Sequence, residues 1–254
     1  MHMRTALLAA LVAPALLSSS TGLQDEFHQT YRLTPHGRVA LENINGDVHI
    51  IAWDRDEVEI RAIKRGYSQE RVEDARIQVD SRPDAITIKT CYPGFYDNNH
   101  HAAVEYRVMV PRHAHLTDVK LVNGALAISG VAGDVHASSV NGTIKAERLA
   151  GETRLSTVNG MLQAVFDSLD PAKPISLNSV SGSIELLLPF DARAEFKADT
   201  VSGGIENEFG LPADRGRNHL AASLRGGGTR IRLNNVNGTI TIIPAWRGRR
   251  LRFT

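Results

Sequence analysis

Apolar residues in the second half of the chain come in short bursts divided by glycine, and the glycines keep a constant interval. Gly124, Gly133, Gly142, Gly151 and Gly160 lie nine residues apart, in the contexts Val122-Asn123-Gly124, Gly133-Asp134, Val140-Asn141-Gly142, Gly151-Glu152 and Val158-Asn159-Gly160. Counted from each glycine, apolar or small side chains fall at plus two, plus four and plus seven: Leu126, Ile128, Val131; Val135, Ala137, Val140; Ile144, Ala146, Leu149; Thr153, Leu155, Val158. Alternation over so few residues predicts half-buried strands rather than helices. All three positions are expected to face inward, the valine before each Asn-Gly included.

The pattern continues at wider spacing through Val180-Ser181-Gly182, Val201-Ser202-Gly203 and Val236-Asn237-Gly238, with return strands at Ile175 and Leu177, Phe196 and Ala198, and Ile231 and Leu233. It also appears early, at Val39, Leu41, Ile44, Asn45-Gly46, Val48 and Ile50. Two half-units make one repeat, and fixed-period self-similarity of this kind signals a stacked architecture. Glycine takes positive φ without penalty and asparagine tolerates it, so Asn-Gly makes a tight corner. Coils stacked about 4.8 Å apart put like on like, so aliphatic side chains form ladders and asparagines bond along a column. The expected fold class is therefore all-β: a single-domain parallel β-solenoid, β-helix-like, with coils of about 18 residues and a small helix-containing insert. An antiparallel hairpin meander is the competing arrangement, because Asn-Gly is also a strong hairpin signal. Parity disfavours it, since a two-residue turn would leave Val122 facing away from Leu126 and Ile128.

Between the first coil and the regular coils of 117–243 lies a less regular insert at 64–116. Val58, Ile60 and Ile63 keep a strand rhythm, and Ser68 opens a short helix reaching Ala75 with a capping-box-like start. Ile77–Asp80 and Ala85–Thr90 flank Arg82-Pro83-Asp84 as a hairpin, and Val104, Tyr106, Val108 and Val110 alternate as a strand stopped by Pro111. At the far end Ile240, Ile242 and Pro244 close the last strand. Trp246 is placed to cover the exposed terminal coil of the domain at 23–246, because open sheet ends invite aggregation.

Residues 1–22 have the layout of a signal peptide, with Arg4, an apolar run from Ala6 to Leu17 and a small polar stretch from Ser18 to Gly22. That run is short for a bilayer-spanning helix and no later stretch is continuously apolar, so a mature chain without a transmembrane segment is expected, in the periplasm or outside the cell. The 254 residues carry 29 Lys and Arg against 28 Asp and Glu, and loss of Arg4 with the leader balances them, which gives no reason to expect nucleic acid. Positive charge gathers only in the tail at 247–254, in Arg247, Arg249, Arg250 and Arg252. Cys91 is the sole cysteine and has no internal disulfide partner.

The Val-Asn-Gly and Val-Ser-Gly corners, the stretch Leu41-Glu42-Asn43-Ile44-Asn45-Gly46-Asp47-Val48 and the strand Arg107-Val108-Met109-Val110-Pro111 resemble the bacterial β-strand-repeat family of candidate adhesins. These are exported domains of unknown function, related in pattern to the adhesin heads of autotransporters. The resemblance covers most of residues 37–243. It implies a repeat β fold and an interaction role, and it brings no catalytic residues with it.

Three loops, Val165–Pro174, Leu187–Ala194 and Asn207–Ala222, lengthen later coils on one edge, and insertions on one face of a solenoid commonly bind ligands. They predict a lip made of Phe166, Asp167, Phe190, Asp191, Phe209, Arg215, Arg217 and His219, unless the phenylalanines fold back over the core edge. A second candidate is the loop from Cys91 to His101, where Tyr92, Phe95, Tyr96, Asp97, His100 and His101 mix aromatic surface with polar groups suited to sugars or a protein. His100, His101, His113 and His115 lack the spacing of a closed metal site, and no metal or cofactor is expected. On the outward strand face Asp134 and Glu152 form one column, with His136, Arg154 and Lys197 in the next. Carboxylates one coil apart, about 5 Å, could support acid-base chemistry, although a solvated face of mixed charge is the plainer reading. No catalytic motif is present. The expected function is an exported, noncatalytic adhesin-like or envelope module that presents loops from a rigid β-solenoid to a glycan or protein partner. A carbohydrate-active enzyme on a β-helix scaffold and a self-assembling structural subunit are the alternatives.

Overall fold

A computed structural model of the protein describes residues 23–92, 102–211 and 218–245. Residues 1–22, Trp246, the basic tail and most of the second candidate loop fall outside them.

The chain begins with β1 (Leu23–Arg32), β2 (Arg38–Asn45), β3 (Val48–Trp53) and β4 (Glu57–Gly66), followed by helix α1 (Gln69–Asp74). Then come β5 (Arg76–Arg82), β6 (Ala85–Cys91), β7 (Ala103–Pro111), β8 (His115–Asn123) and β9 (Leu126–Ser129). The regular repeat supplies β10 (Val135–Asn141), β11 (Ile144–Leu149), β12 (Thr153–Asn159), β13 (Leu162–Phe166), β14 (Ile175–Ser181) and β15 (Ile184–Pro189). The chain continues through β16 (Ala194–Ser202), β17 (Ile205–Asn207), β18 (His219–Leu224), β19 (Thr229–Asn237) and β20 (Ile240–Ala245).

These strands form two ten-stranded mixed sheets. The first runs β1-β4-β7-β3-β9-β11-β13-β15-β20-β17 and the second β18-β16-β19-β14-β12-β10-β8-β2-β6-β5. Across each Asn-Gly or Ser-Gly corner the chain passes from the second sheet to the first. Pairing is parallel through the middle of both sheets, with Asn123, Asn141, Asn159, Ser181 and Asn237 in one register. It turns antiparallel towards the ends, in β1 with β4, β4 with β7, β5 with β6, and β16 with β18. The inward faces of both sheets meet in one aliphatic core that includes Leu41, Ile50, Leu126, Ile128, Ile144, Leu177, Leu186, Leu233 and Ile242.

Rungs do not stack in chain order. β2 and β3 lie between the rung of β6 and β7 and that of β8 and β9. β19 and β20 likewise lie between β14 and β15 on one side and β16 and β17 on the other. Ile240 and Ile242 therefore sit inside the first sheet rather than closing it, which corrects the sequential solenoid expected above. The end strands are instead β1 and β17 in one sheet and β5 and β18 in the other. β1 and β18 both add antiparallel to their sheets, and residues 219–222, expected in a loop, belong to β18. Within residues 64–116 the short helix and the hairpin are where the sequence places them, while β6 and β7 join the two sheets beside β2 and β3. Ser68 caps α1 by accepting from the Arg71 backbone N–H at 3.4 Å, and β5 and β6 form the hairpin around Pro83.

The corners explain both the glycines and a second correction. A Cβ on Gly142 would lie 1.9 Å from the carbonyl oxygen of Gly124, and one on Gly182 2.0 Å from that of Gly160. Each rung's corner is thus pressed against the backbone of its neighbour. Strand alternation simply continues to the corner, so the inward position is the residue before the valine. Ser139, Thr157, Ser179, Thr200 and Asn235 are buried there, whereas Val140 is 41% exposed and Val201 72%. The valines form an outer ridge, and the parity argument against a meander loses its premise even though the pairing is parallel. Several buried polar residues serve the corner carbonyls: Asn43 Nδ2 donates to Gly46 O at 3.0 Å, Asn235 Nδ2 to Gly182 O at 2.8 Å and Thr200 Oγ1 to Gly238 O at 3.2 Å, whereas Ser139 and Ser179 Oγ have no partner among the described residues. Outside, asparagines bond rung to rung, Asn141 Nδ2 to Asn123 Oδ1 and Asn159 Nδ2 to Asn141 Oδ1, both at 2.9 Å.

Gly142→Ala is expected to destabilise the fold by about 3 kcal/mol, because backbone cannot yield as a side chain would. Gly204→Ala, where a Cβ meets nothing within 4 Å, should change stability by less than about 0.5 kcal/mol. Urea unfolding of the two variants tests the difference.

Candidate functional site

A concave region runs over the outer face of the second sheet, across its strands. One hollow of about 530 Å³ is lined by Arg154, Pro174, Ser176, Glu195, Lys197, Arg230 and Arg232. A second, of about 300 Å³, is lined by Thr117, Asp118, His136, Ser138, Arg154, Ser156 and Asn178. Arg154 lines both, so the two hollows adjoin and lie in line as a furrow over β8, β10, β12, β14, β19 and β16.

Register builds the furrow in columns. His136 pairs with Arg154, Arg154 with Ser176, Ser176 with Arg232, and Arg232 with Lys197. Beside them Ser138, Ser156, Asn178, Asn234 and Asp199 form a second column of shorter polar groups. Asn234 Nδ2 donates to Asn178 Oδ1 at 2.7 Å along it. His219 ends this column at the sheet edge, its Nδ1 2.5 Å from Asp199 Oδ1. His136 Nε2 is buried without a hydrogen-bond partner among the described residues and lies 3.6 Å from Glu152 Oε1.

The two carboxylates singled out for acid-base chemistry are both engaged. Asp134 Oδ1 accepts from the Glu152 backbone N–H and from Lys173 Nζ, each at 2.9 Å. Partial burial pushes its pKa up, but these bonds and the charge of Lys173 outweigh that and hold it below the ordinary carboxylate range. Glu152 Oε1 accepts from Arg154 Nη2 at 2.7 Å. An ionised, bonded Asp134 is poorly suited to deliver a proton near neutral pH. By contrast, Arg230, Arg232 and Lys197 form no ion pair with a described residue, although Glu195 is the register partner of Arg230, so cations outnumber carboxylates at the β19 and β16 end.

The residues of the predicted lip divide. β13, β15, β20 and β17 are parallel neighbours, so the three loops leave one edge of the first sheet. Phe166 is nevertheless 2% exposed and belongs to the core, because β13 runs on to include it; it is not a lip residue. Phe209 packs partly against the core. Phe190 is 68% exposed, with the Arg225 guanidinium 5.1 Å from its ring centre and Arg225 Nη1 donating to its carbonyl oxygen at 2.7 Å. Asp167 and Asp191 are exposed, His219 lies on β18 rather than in a loop, and Arg215 and Arg217 lie outside the described residues. In the second candidate loop Tyr92 donates its hydroxyl to Ala102 O at 2.8 Å, and burial pushes its pKa up; Phe95, Tyr96, Asp97, His100 and His101 lie outside the described residues. The ring of His36 approaches His113, with centres 5.4 Å apart, and no group of three or more metal-ligating side chains occurs among the described residues. No described helix is long and apolar enough to cross a membrane.

Sequence reasoning found His136, Arg154 and Lys197 but missed Arg230 and Arg232. Their strand, β19, follows β16 and β18 in the chain yet stacks between β14 and β16, an order that repeat spacing does not encode.

Asp134→Asn tests the electrostatic anchor of this face. A carboxylate whose folded pKa is depressed stabilises the fold above its ordinary pKa and loses that contribution as pH falls through the lower folded value. The variant should be about 1 kcal/mol less stable at pH 7, a gap that shrinks as pH drops below about 4, as urea unfolding at both pH values would record.

No curated protein matches the sequence. Among solved structures, a candidate cell adhesion protein from Clostridium sporogenes superposes with a TM-score of 0.53 at 12% identity, over 87% of this chain and 100% of that one. A candidate adhesin from Bacteroides fragilis gives a TM-score of 0.38 at 9% identity, over 87% of this chain and 97% of the other. The Toastrack DUF4097 family model matches residues 39–243, and the chain belongs to that family of β-repeat proteins.

Proposed function

We propose that the protein is an exported, noncatalytic interaction module of adhesin type, which holds an elongated glycan or an extended protein segment in the furrow of its second sheet. The observation that carries this reading is the continuity of the two hollows through Arg154, over strands from β8 to β16. Neighbouring strands lie about 4.8 Å apart, so the furrow extends for roughly 24 Å, the scale of an extended polymer rather than a small metabolite. Its floor is rigid backbone with short hydroxyl and amide side chains, so little ordering entropy is lost on binding. The exposed Phe190 lies on the loop that enters β16 and its partner Arg225 on the turn between β18 and β19, and together they add an aromatic surface near the cationic end.

The parallel middle of the sheets, with corners eighteen residues apart from Gly124 to Gly142 to Gly160, supports reading that region as a two-sided β-solenoid with threaded ends. The layout of residues 1–22 supports export. The engaged state of Asp134 and Glu152 supports a role without turnover, and the description of the Clostridium sporogenes protein agrees with an adhesive one.

Incubating the full chain with immobilised polysaccharides and envelope proteins tests the proposal. Retention without product release is expected, with Arg154→Glu weakening it at least tenfold and Lys145→Glu, on the outer face of the first sheet, leaving it unchanged. Release of shortened saccharides, or equal retention of the Arg154→Glu variant, would overturn it.

A further inference from the structure

Resting on the furrow as the contact surface, we infer that its occupant is a linear polyanionic glycan, with carboxylate groups repeating along the chain, which binds through the end formed by β19 and β16. The argument is the distribution of charge. At the β10 and β12 end every carboxylate is met: Asp134 by Lys173 and Glu152 by Arg154. At the other end Arg230, Arg232 and Lys197 line the larger hollow with Glu195 as the one carboxylate, and none of the three cations is ion-paired among the described residues. Arg232 and Lys197 are register partners on adjacent strands, while Arg154 lies two strands from Arg232 with Ser176 between them.

Unpaired arginines on a sheet face repel one another and keep their full hydration, so an anion entering between them gains more than it would beside a satisfied pair. The guanidinium fork accepts a carboxylate through two parallel hydrogen bonds, which suits arginine better than lysine to this task. Ser176 is short and lies between Arg154 and Arg232 in the column, so the cations are spaced along the furrow with a gap between them, an arrangement that a chain of repeating carboxylates can match. Serine and asparagine in the adjoining column can bond sugar hydroxyls, whereas a folded protein surface would leave them unfilled.

The test uses polygalacturonate and its fully methyl-esterified form, the same chain with and without charge, together with phosphatidylglycerol vesicles. The full chain should bind polygalacturonate at least tenfold more tightly than the ester, with affinity falling as salt rises from about 50 to 300 mM. The double variant Arg230→Glu, Arg232→Glu should lose at least tenfold while its thermal unfolding is unchanged; if it unfolds, Arg232→Gln and Arg230→Gln are read singly. Equal binding of both polymers would overturn the charge inference and leave the furrow reading standing. Binding of the vesicles in preference, or of neither polymer, would also overturn it, and in the last case the wider binding screen decides the furrow reading on its own.

Discussion

The structure depends on one backbone approach, repeated at every principal corner. The column Gly46, Gly124, Gly142, Gly160, Gly182, Gly238 and Gly203 brings each glycine so near the preceding backbone that a Cβ would overlap it. Gly142 is instructive because its φ is not positive, so closeness alone excludes a side chain there. Once the corners nest, the register of the strands on either side follows, since a slip of one residue would turn every inward side chain outward. The asparagine ladder outside and the buried Asn43, Thr157, Thr200 and Asn235 inside then satisfy the polar groups that the nesting exposes. Packing and hydrogen bonding therefore agree on one alignment.

That agreement made the local pattern readable from residues alone. Inward Leu126, Ile128, Val135, Ile144 and Leu155 are buried where the plus-two and plus-four positions placed them. The plus-seven position held only at the other corners, where Val131 and Leu149 are buried, and failed before Asn-Gly, where valine faces out. Hydrophobicity misled there because a valine ridge along a stacked edge is half covered by its own neighbours. The polar residues Ser139 and Thr157 take the inward place instead, and Thr157 Oγ1 there donates to the Gly142 carbonyl oxygen.

Stacking order was beyond the pattern. Nothing in the spacing distinguishes a last rung at the end of the pile from one slipped between earlier rungs, since every rung offers the same inward ladder and the same corner. The difference decides where chemistry collects. Threading β19 between β14 and β16 brings Arg230 and Arg232 alongside Arg154 and Lys197, so charges distant in the chain meet on one face. Phe166 illustrates the opposite error, a loop residue by repeat counting that extends β13 and is claimed by the core.

The inserted rungs also set a timetable for folding. β16 can take its place against β19 only after the residues up to Asn237 have left the ribosome, and β2 must hold a slot between β6 and β8, both made later. A growing chain therefore carries unfinished sheet edges until almost its last strand is made. Such a polypeptide completes its sheets late, when β19 and β20 enter the interior of the pile beside strands made well before them.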